Sequence, residues 1–144
     1  MAQIAAAAKG KAAPPPPPPA RIITGARFLT AFQVVFGVYA LQFLLVPAKV
    51  VSDHFNATAD QMTQFMTRGA SAAMAGCVWA TRNMPEATAV RLATYLTLAV
   101  AVLYPYGAKF NLFKNNLSCK YPMHYVPEVL MAALSLAGLY VMYL

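Results

Sequence analysis

The chain has 144 residues, of which 60% are hydrophobic and only 10% are charged, and its net charge is +7. A chain of this length has room for one domain, and a mean hydropathy of +0.52 is typical of a protein that lies in a membrane. The basic residues sit at the ends of apolar stretches, where lysine and arginine reach lipid headgroups. Composition therefore predicts an integral membrane protein and argues against a nucleic-acid-binding one.

The first 26 residues are predicted to form an extended arm rich in alanine and proline. Six consecutive prolines favour a polyproline II rod, which loses little entropy when it docks on a partner. Basic residues flank the rod and can meet acidic groups on a neighbouring subunit. We therefore expect the arm to act as a tether. Its expected partner-binding residues are Lys9, Lys11, Pro14, Pro15, Pro16, Pro17, Pro18, Pro19 and Arg21.

Four apolar stretches follow the arm, and each is long enough to cross a membrane as a helix. A helix rises about 1.5 Å per residue, so about 20 residues span the hydrocarbon core. Short loops force successive helices to alternate in direction, which places both termini on one side. The expected fold is an all-α integral membrane protein with four transmembrane helices, short loops and the proline-rich arm. The predicted domain covers residues 27–144, with helices at about 27–47, 61–82, 86–108 and 126–144.

The second predicted helix carries small residues and one charge. Within Gly69–Gly76, glycine and alanine recur four residues apart, which lets two membrane helices approach closely. Arg68 lies well inside the same helix. Because an unpaired guanidinium in a membrane is costly, we expect Arg68 to form a structural ion pair with Glu128 or Asp60, or else to meet a polar lipid or cofactor group.

Both histidines, His54 and His124, are predicted in loops on one side of the membrane, together with Asp53, Asp60 and Glu128. Either imidazole is a candidate axial ligand for a pigment, and a membrane enzyme would use such a set for acid–base chemistry. The histidines do not occupy paired positions on facing helices, so we expect no catalytic residues. No cysteine or histidine spacing predicts a metal site. The candidate ligands are chlorophyll, carotenoid or structural lipid.

Function is predicted from these features together. A chain with packing helices, a tethering arm and little mass outside the membrane is expected to be a non-catalytic accessory subunit of a large energy-transducing membrane complex. Its alanine-rich, acid-poor composition favours an algal photosystem–antenna supercomplex in the chloroplast thylakoid membrane, where it would stabilise assembly and contact pigments or lipids.

Two alternatives stay open. One is an accessory subunit of a respiratory complex in the mitochondrial inner membrane. The other is a small membrane enzyme or enzyme scaffold of lipid metabolism, which would use the side of the bundle that carries the histidines. The expected partners are other membrane subunits and lipids, and not nucleic acid.

Overall fold

The computed structural model describes residues 22–143 of the chain, and over this range every regular element is a helix. This confirms the predicted all-helical class. The helices are α1 (Gly25–Leu45), α2 (Pro47–His54), α3 (Gln61–Arg82), α4 (Glu86–Leu103), α5 (Pro105–Lys109) and α6 (Tyr125–Tyr143). The predicted tether, with Lys9, Lys11, Pro14–Pro19 and Arg21, lies outside the described residues.

The four long helices, α1, α3, α4 and α6, pack side by side and alternate in direction. The side chain of Gln33, near the start of α1, lies 3.4 Å from the hydroxyl of Thr81 at the end of α3. A side chain at Gly25 would touch Glu86, so α1 and α4 begin at the same end of the bundle. We call this the terminal end. The opposite end, formed by residues 46–60 and 104–124, is called the histidine end.

Three helical segments are long and apolar enough to cross a membrane: Gly25–Leu45, Glu86–Lys109 and Tyr125–Tyr143. They correspond to the first, third and fourth predicted spans. α3 matches the second predicted span in its bounds and has 22 residues, but polar residues in its first third lower its hydropathy. Those residues are Gln61, Thr63, Gln64, Thr67 and Arg68.

Two prolines begin short helices that the sequence does not predict as separate elements, although the predicted third helix, 86–108, covers most of the second of them. Pro47 is expected to end the first long helix, and Pro105 to end or kink the third, because proline cannot donate a backbone hydrogen bond. They do follow the ends of α1 and α4, but each is also the first residue of a further helix, α2 or α5. The first turn of a helix needs no donor at that position, so proline is favoured there.

The core lies between α1, α4 and α6. Phe28, Phe32 and Phe36 recur every four residues along one face of α1 and are 2%, 0% and 2% exposed. Ala89 and Ala93 on α4 are fully buried in the same cluster. Their small side chains let α4 come close enough for the phenylalanine rings to fill the space between the helices.

Candidate functional site

The two histidines lie together in a buried aromatic cluster at the histidine end. His54 is the last residue of α2, and His124 directly precedes α6. Their ring centroids are 6.2 Å apart, and their exposed fractions are 7% and 0%. The rings of Phe55 and Tyr104 pack against His124 at centroid distances of 5.2 and 6.0 Å. His54 and His124 therefore not only lie on one side of the bundle, as predicted, but also contact each other. The sequence did not predict this contact.

Backbone pairing between two loops brings the histidines together. The N–H of Asn56, after α2, donates to the carbonyl of Ser118 at 2.9 Å, and the N–H of Lys120 donates to the carbonyl of His54 at 2.8 Å. These bonds form a short antiparallel bridge between the segment after α2 and the segment before α6. The bridge fixes α2 across the histidine end and holds His54 against the residues that precede α6.

Burial favours the neutral form of His54. Loss of hydration lowers the pKa of its imidazole, and the neighbouring His124 lowers that pKa further. Nε2 of His124 lies 3.3 Å from the carbonyl oxygen of Pro105, to which it can donate a hydrogen bond. Nδ1 of each ring has no hydrogen-bond partner among residues 22–143.

The cluster gives little space to a pigment. Four rings, those of His54, Phe55, Tyr104 and Tyr121, lie within 6.2 Å of His124 between centroids. The imidazole of His124 is fully buried, so a macrocycle would have to displace neighbouring side chains to reach a ring nitrogen. His54 borders a cavity of about 220 Å³ between α1, α2 and α6. This volume is below the roughly 300–1,000 Å³ of ordinary ligand pockets. Pigment ligation by either histidine stays a prediction without geometric support.

Glu128 forms the principal buried ion pair of the described chain, and its partner is Lys109. The ammonium of Lys109 lies 2.5 Å from Oε2 of Glu128, and the hydroxyl of Tyr121 donates to Oε1 at 2.8 Å. The carboxylate side chain is only 6% exposed. The hydrogen bond to Glu128 is the main cause of a raised pKa at the Tyr121 phenol.

Neither expected partner is paired with Arg68. Glu128 is held by Lys109, and Asp60 caps α3, where its carboxylate accepts a hydrogen bond from the N–H of Thr63 at 2.7 Å. The side chain of Arg68 is exposed, and within residues 22–143 its guanidinium has no carboxylate partner. The expected pairing of Arg68 is wrong because α5 ends at the level where α6 begins, which brings Lys109 to Glu128. The position of Lys109 directly after the predicted third helix was the sequence signal that could have identified it as the partner of Glu128.

α3 is the least buried of the long helices. Only Ser71 and Thr81 are buried along its 22 residues. We define its outer face by Phe65, Gly69, Gly76 and Trp79. The two aromatic side chains are 69% and 70% exposed, and a Cβ added at either glycine would meet nothing within 4 Å. The small residues that sequence analysis assigned to helix packing therefore lie on the outside of the described bundle.

A groove of about 640 Å³ runs between α1 and α3. We call it the α1–α3 groove. Its lining is mostly small or aliphatic, and Arg68 is the charged residue in it. The lining includes Val34, Gly37 and Leu41 from α1 and Arg68, Ala72 and Ala75 from α3.

Comparison of the chain with protein-family models, with curated proteins and with solved structures finds no match. Any functional conclusion therefore depends on the arrangement of the residues themselves.

Proposed function

We propose that this chain is a four-helix integral membrane protein that serves as a non-catalytic accessory subunit of a larger membrane complex. The observation that carries the proposal is the outer face of α3, where two glycines suited to close helix packing have no neighbour within the described residues.

The direction of the helices supports α3 as a fourth membrane span. α1 and α4 both begin at the terminal end, so the chain must return from the histidine end between them. α3 makes that return, antiparallel to α1. Its 22 residues extend about 33 Å, enough to cross a hydrocarbon core of about 30 Å.

The outer face of α3 suits a helix of another subunit. Glycine in a helix interior lowers stability by about 1 kcal/mol relative to alanine. Gly69 and Gly76 gain no close contact within this chain that would offset that cost. Glycines of membrane helices instead let a second backbone approach closely, and the exposed rings of Phe65 and Trp79 can pack beside it.

The polar groups of the histidine end support a non-catalytic role. A general acid or base must reach the atom that it protonates or deprotonates. Glu128 is occupied by Lys109 and Tyr121, Asp53 is paired with Lys49 at 2.9 Å, and both histidines are buried. These contacts hold the loops to the bundle.

The membrane complex that we propose is an energy-transducing one, with an algal photosystem–antenna supercomplex ahead of a mitochondrial respiratory complex. The support is compositional: 11 basic residues against 4 acidic ones, in an alanine-rich chain. Native electrophoresis of mildly solubilised source membranes, followed by mass spectrometry of the bands, tests both assignments. Migration with a photosystem supports the first and migration with a respiratory complex the second. Migration outside any complex would contradict the accessory-subunit proposal.

A double variant, Gly69→Leu with Gly76→Leu, tests the outer face directly. Open space surrounds both positions, so the bundle should fold with an unchanged Tm. The added side chains would prevent close approach of a partner helix, and we expect the variant to be lost from the complex on native electrophoresis.

Gly138→Leu is the matched control. A Cβ at Gly138 would lie 2.4 Å from the hydroxyl oxygen of Thr94 and 2.9 Å from the ring of Phe28. Overpacking of this kind costs about 1–3 kcal/mol, so this variant should lower the Tm of the isolated subunit. Normal complex assembly by the double variant would refute the role of the outer face.

A further inference from the structure

The α1–α3 groove has an uneven distribution of polar groups along its length. At the terminal end, Gln33 lines it, and both ends of the Gln33 amide are engaged. Its NH₂ donates to the hydroxyl of Thr81 at 3.4 Å, and its oxygen accepts from Nε of Arg82 at 3.3 Å. Nearer the histidine end the groove contains Arg68, for which no carboxylate is available in the described range 22–143. The groove thus presents one unpaired cation, toward its histidine end.

The direction of α3 brings this cation toward the membrane surface. Arg68 lies seven residues after Gln61, the first residue of α3, which is about 10 Å along the helix. Side chains of a helix tilt toward its N-terminus, and the N-terminus of α3 is at the histidine end. A long arginine side chain can therefore extend its guanidinium to the level of the lipid headgroups while its methylenes stay beside the apolar groove.

Below Arg68 the groove is suited to a hydrocarbon chain. A Cβ added at Gly37 on α1 would meet nothing within 4 Å. On the opposite side of the groove, Ala72 and Ala75 of α3 also have small side chains. The aliphatic side chains of Val34 and Leu41 complete the lining. An acyl chain lying here would contact apolar atoms on both helices.

We propose that the α1–α3 groove binds one acyl chain of an anionic phospholipid whose phosphate pairs with Arg68. A guanidinium matches two phosphate oxygens with two parallel N–H donors, which gives this pair both strength and geometric specificity. A cation at headgroup level above an apolar channel is complementary to an anionic lipid, which has a charged headgroup above apolar chains. The inference rests on the membrane position of α3 proposed above, but not on membership of a complex.

The test measures phospholipid binding to the purified full-length chain in detergent by native mass spectrometry. Dioleoyl-phosphatidylglycerol should bind in a one-to-one complex, more tightly than dioleoyl-phosphatidylcholine, whose net charge is zero. Arg68→Gln should weaken phosphatidylglycerol binding about tenfold, the loss expected for a charge-assisted contact. Arg91→Gln, which removes an exposed arginine of α4 outside the groove, should leave binding unchanged.

A second variant separates the groove from the charge. Gly37→Leu keeps Arg68 and, because nothing lies within 4 Å of its Cβ, should preserve the Tm while it fills the channel and reduces phosphatidylglycerol binding. Inorganic phosphate should not compete at millimolar concentration if the acyl chain contributes to binding. Competition by phosphate alone would show an anion site without a lipid channel and would overturn the proposal.

The remaining outcomes also decide the matter. Unchanged phosphatidylglycerol binding by Arg68→Gln would overturn the proposal. If that variant also left its complex on native electrophoresis, the partner of Arg68 would be an acidic side chain of another subunit. Loss of lipid binding with normal complex assembly would support the lipid site and leave the subunit proposal to the outer-face variants of α3.

Discussion

Glu128 shows how a carboxylate is tolerated at the start of an apolar helix. It is 5% exposed, and a buried charge without a partner is strongly destabilising. Lys109 and Tyr121 both contact its carboxylate, and they belong to two segments that precede α6. The ion pair therefore joins α5, the following loop and α6 at the histidine end.

Lys109→Met should lower the Tm of the purified protein by roughly 10 °C, because it leaves the buried Glu128 carboxylate with Tyr121 as its remaining side-chain hydrogen-bond donor. Thermal unfolding in detergent, followed by circular dichroism, measures the shift. Lys49→Met is the matched control, since the Lys49–Asp53 pair is largely exposed on the lysine side and such pairs add little stability. Equal shifts for the two variants would show that the Lys109–Glu128 pair has no special role.

Because His54 is buried, we expect the stability of the folded protein to depend on pH. Its pKa in the folded protein is below the ordinary histidine value of about 6.5, so the unfolded chain binds the proton more readily. Stability is then fully present above about pH 6.5 and decreases as pH falls toward the lower folded-state pKa. We expect the Tm to decrease between pH 7.5 and pH 5, and His54→Gln to flatten that decrease. Hydrogen bonds lower the pKa values of Asp53 and Asp60, so those carboxylates titrate below this range. An identical pH profile in the variant would exclude His54 as the source.

The long helices were predictable from the sequence, whereas α2 and the break that separates α5 from α4 were not. Continuous apolar runs predict the first, third and fourth long helices, and the predicted second helix, 61–82, has the bounds of α3 even though its first third is polar. α2 and α5 have 8 and 5 residues, too few for a periodic pattern to identify. Each also begins at a proline, and from sequence alone Pro47 is expected to end the helix before it and Pro105 to end or kink it.

The histidine contact and the partner of Arg68 were not predictable for a related reason. The contact between His54 and His124 depends on two loops pairing through their backbones, and backbone pairing leaves no mark in residue type. The sequence predicts Glu128 as a partner of Arg68 because both charges are expected on one side of the membrane. Several charges share that side, and the choice among them depends on the break between α4 and α5, which was not predicted.

Burial is uneven around the bundle. The phenylalanine core joins α1 to α4 and α6, whereas α3 adds only partly buried side chains to that cluster, such as those of Met74 and Val78. A helix held mainly along one side would gain most from an additional neighbour. This unevenness links the fold to the proposal that another subunit covers α3.

The membrane topology can be tested directly, because the topology follows from the direction of every long helix at once. If α3 crosses the membrane, its two ends lie on opposite sides. Thr58→Cys, before α3, should react with an impermeant maleimide from the same side as the native Cys119, since both belong to the histidine end. Asn83→Cys, just after α3, should react only from the other side. Both substitutions are made with Cys77 and Cys119 replaced by alanine, and are assayed in sealed vesicles of one orientation before and after permeabilisation.

The native Cys119, in a chain with only Cys77 replaced, calibrates which side is accessible. A three-span protein with α3 lying on the surface would expose Thr58→Cys and Asn83→Cys to the reagent from the same side. That result would also place the start of α4 beside the end of α1. The shared terminal end of α1 and α4, where a side chain at Gly25 would touch Glu86, excludes that arrangement for the bundle described here. Labelling of the two cysteines from one side would therefore contradict both the fourth span and the packing of α1 against α4.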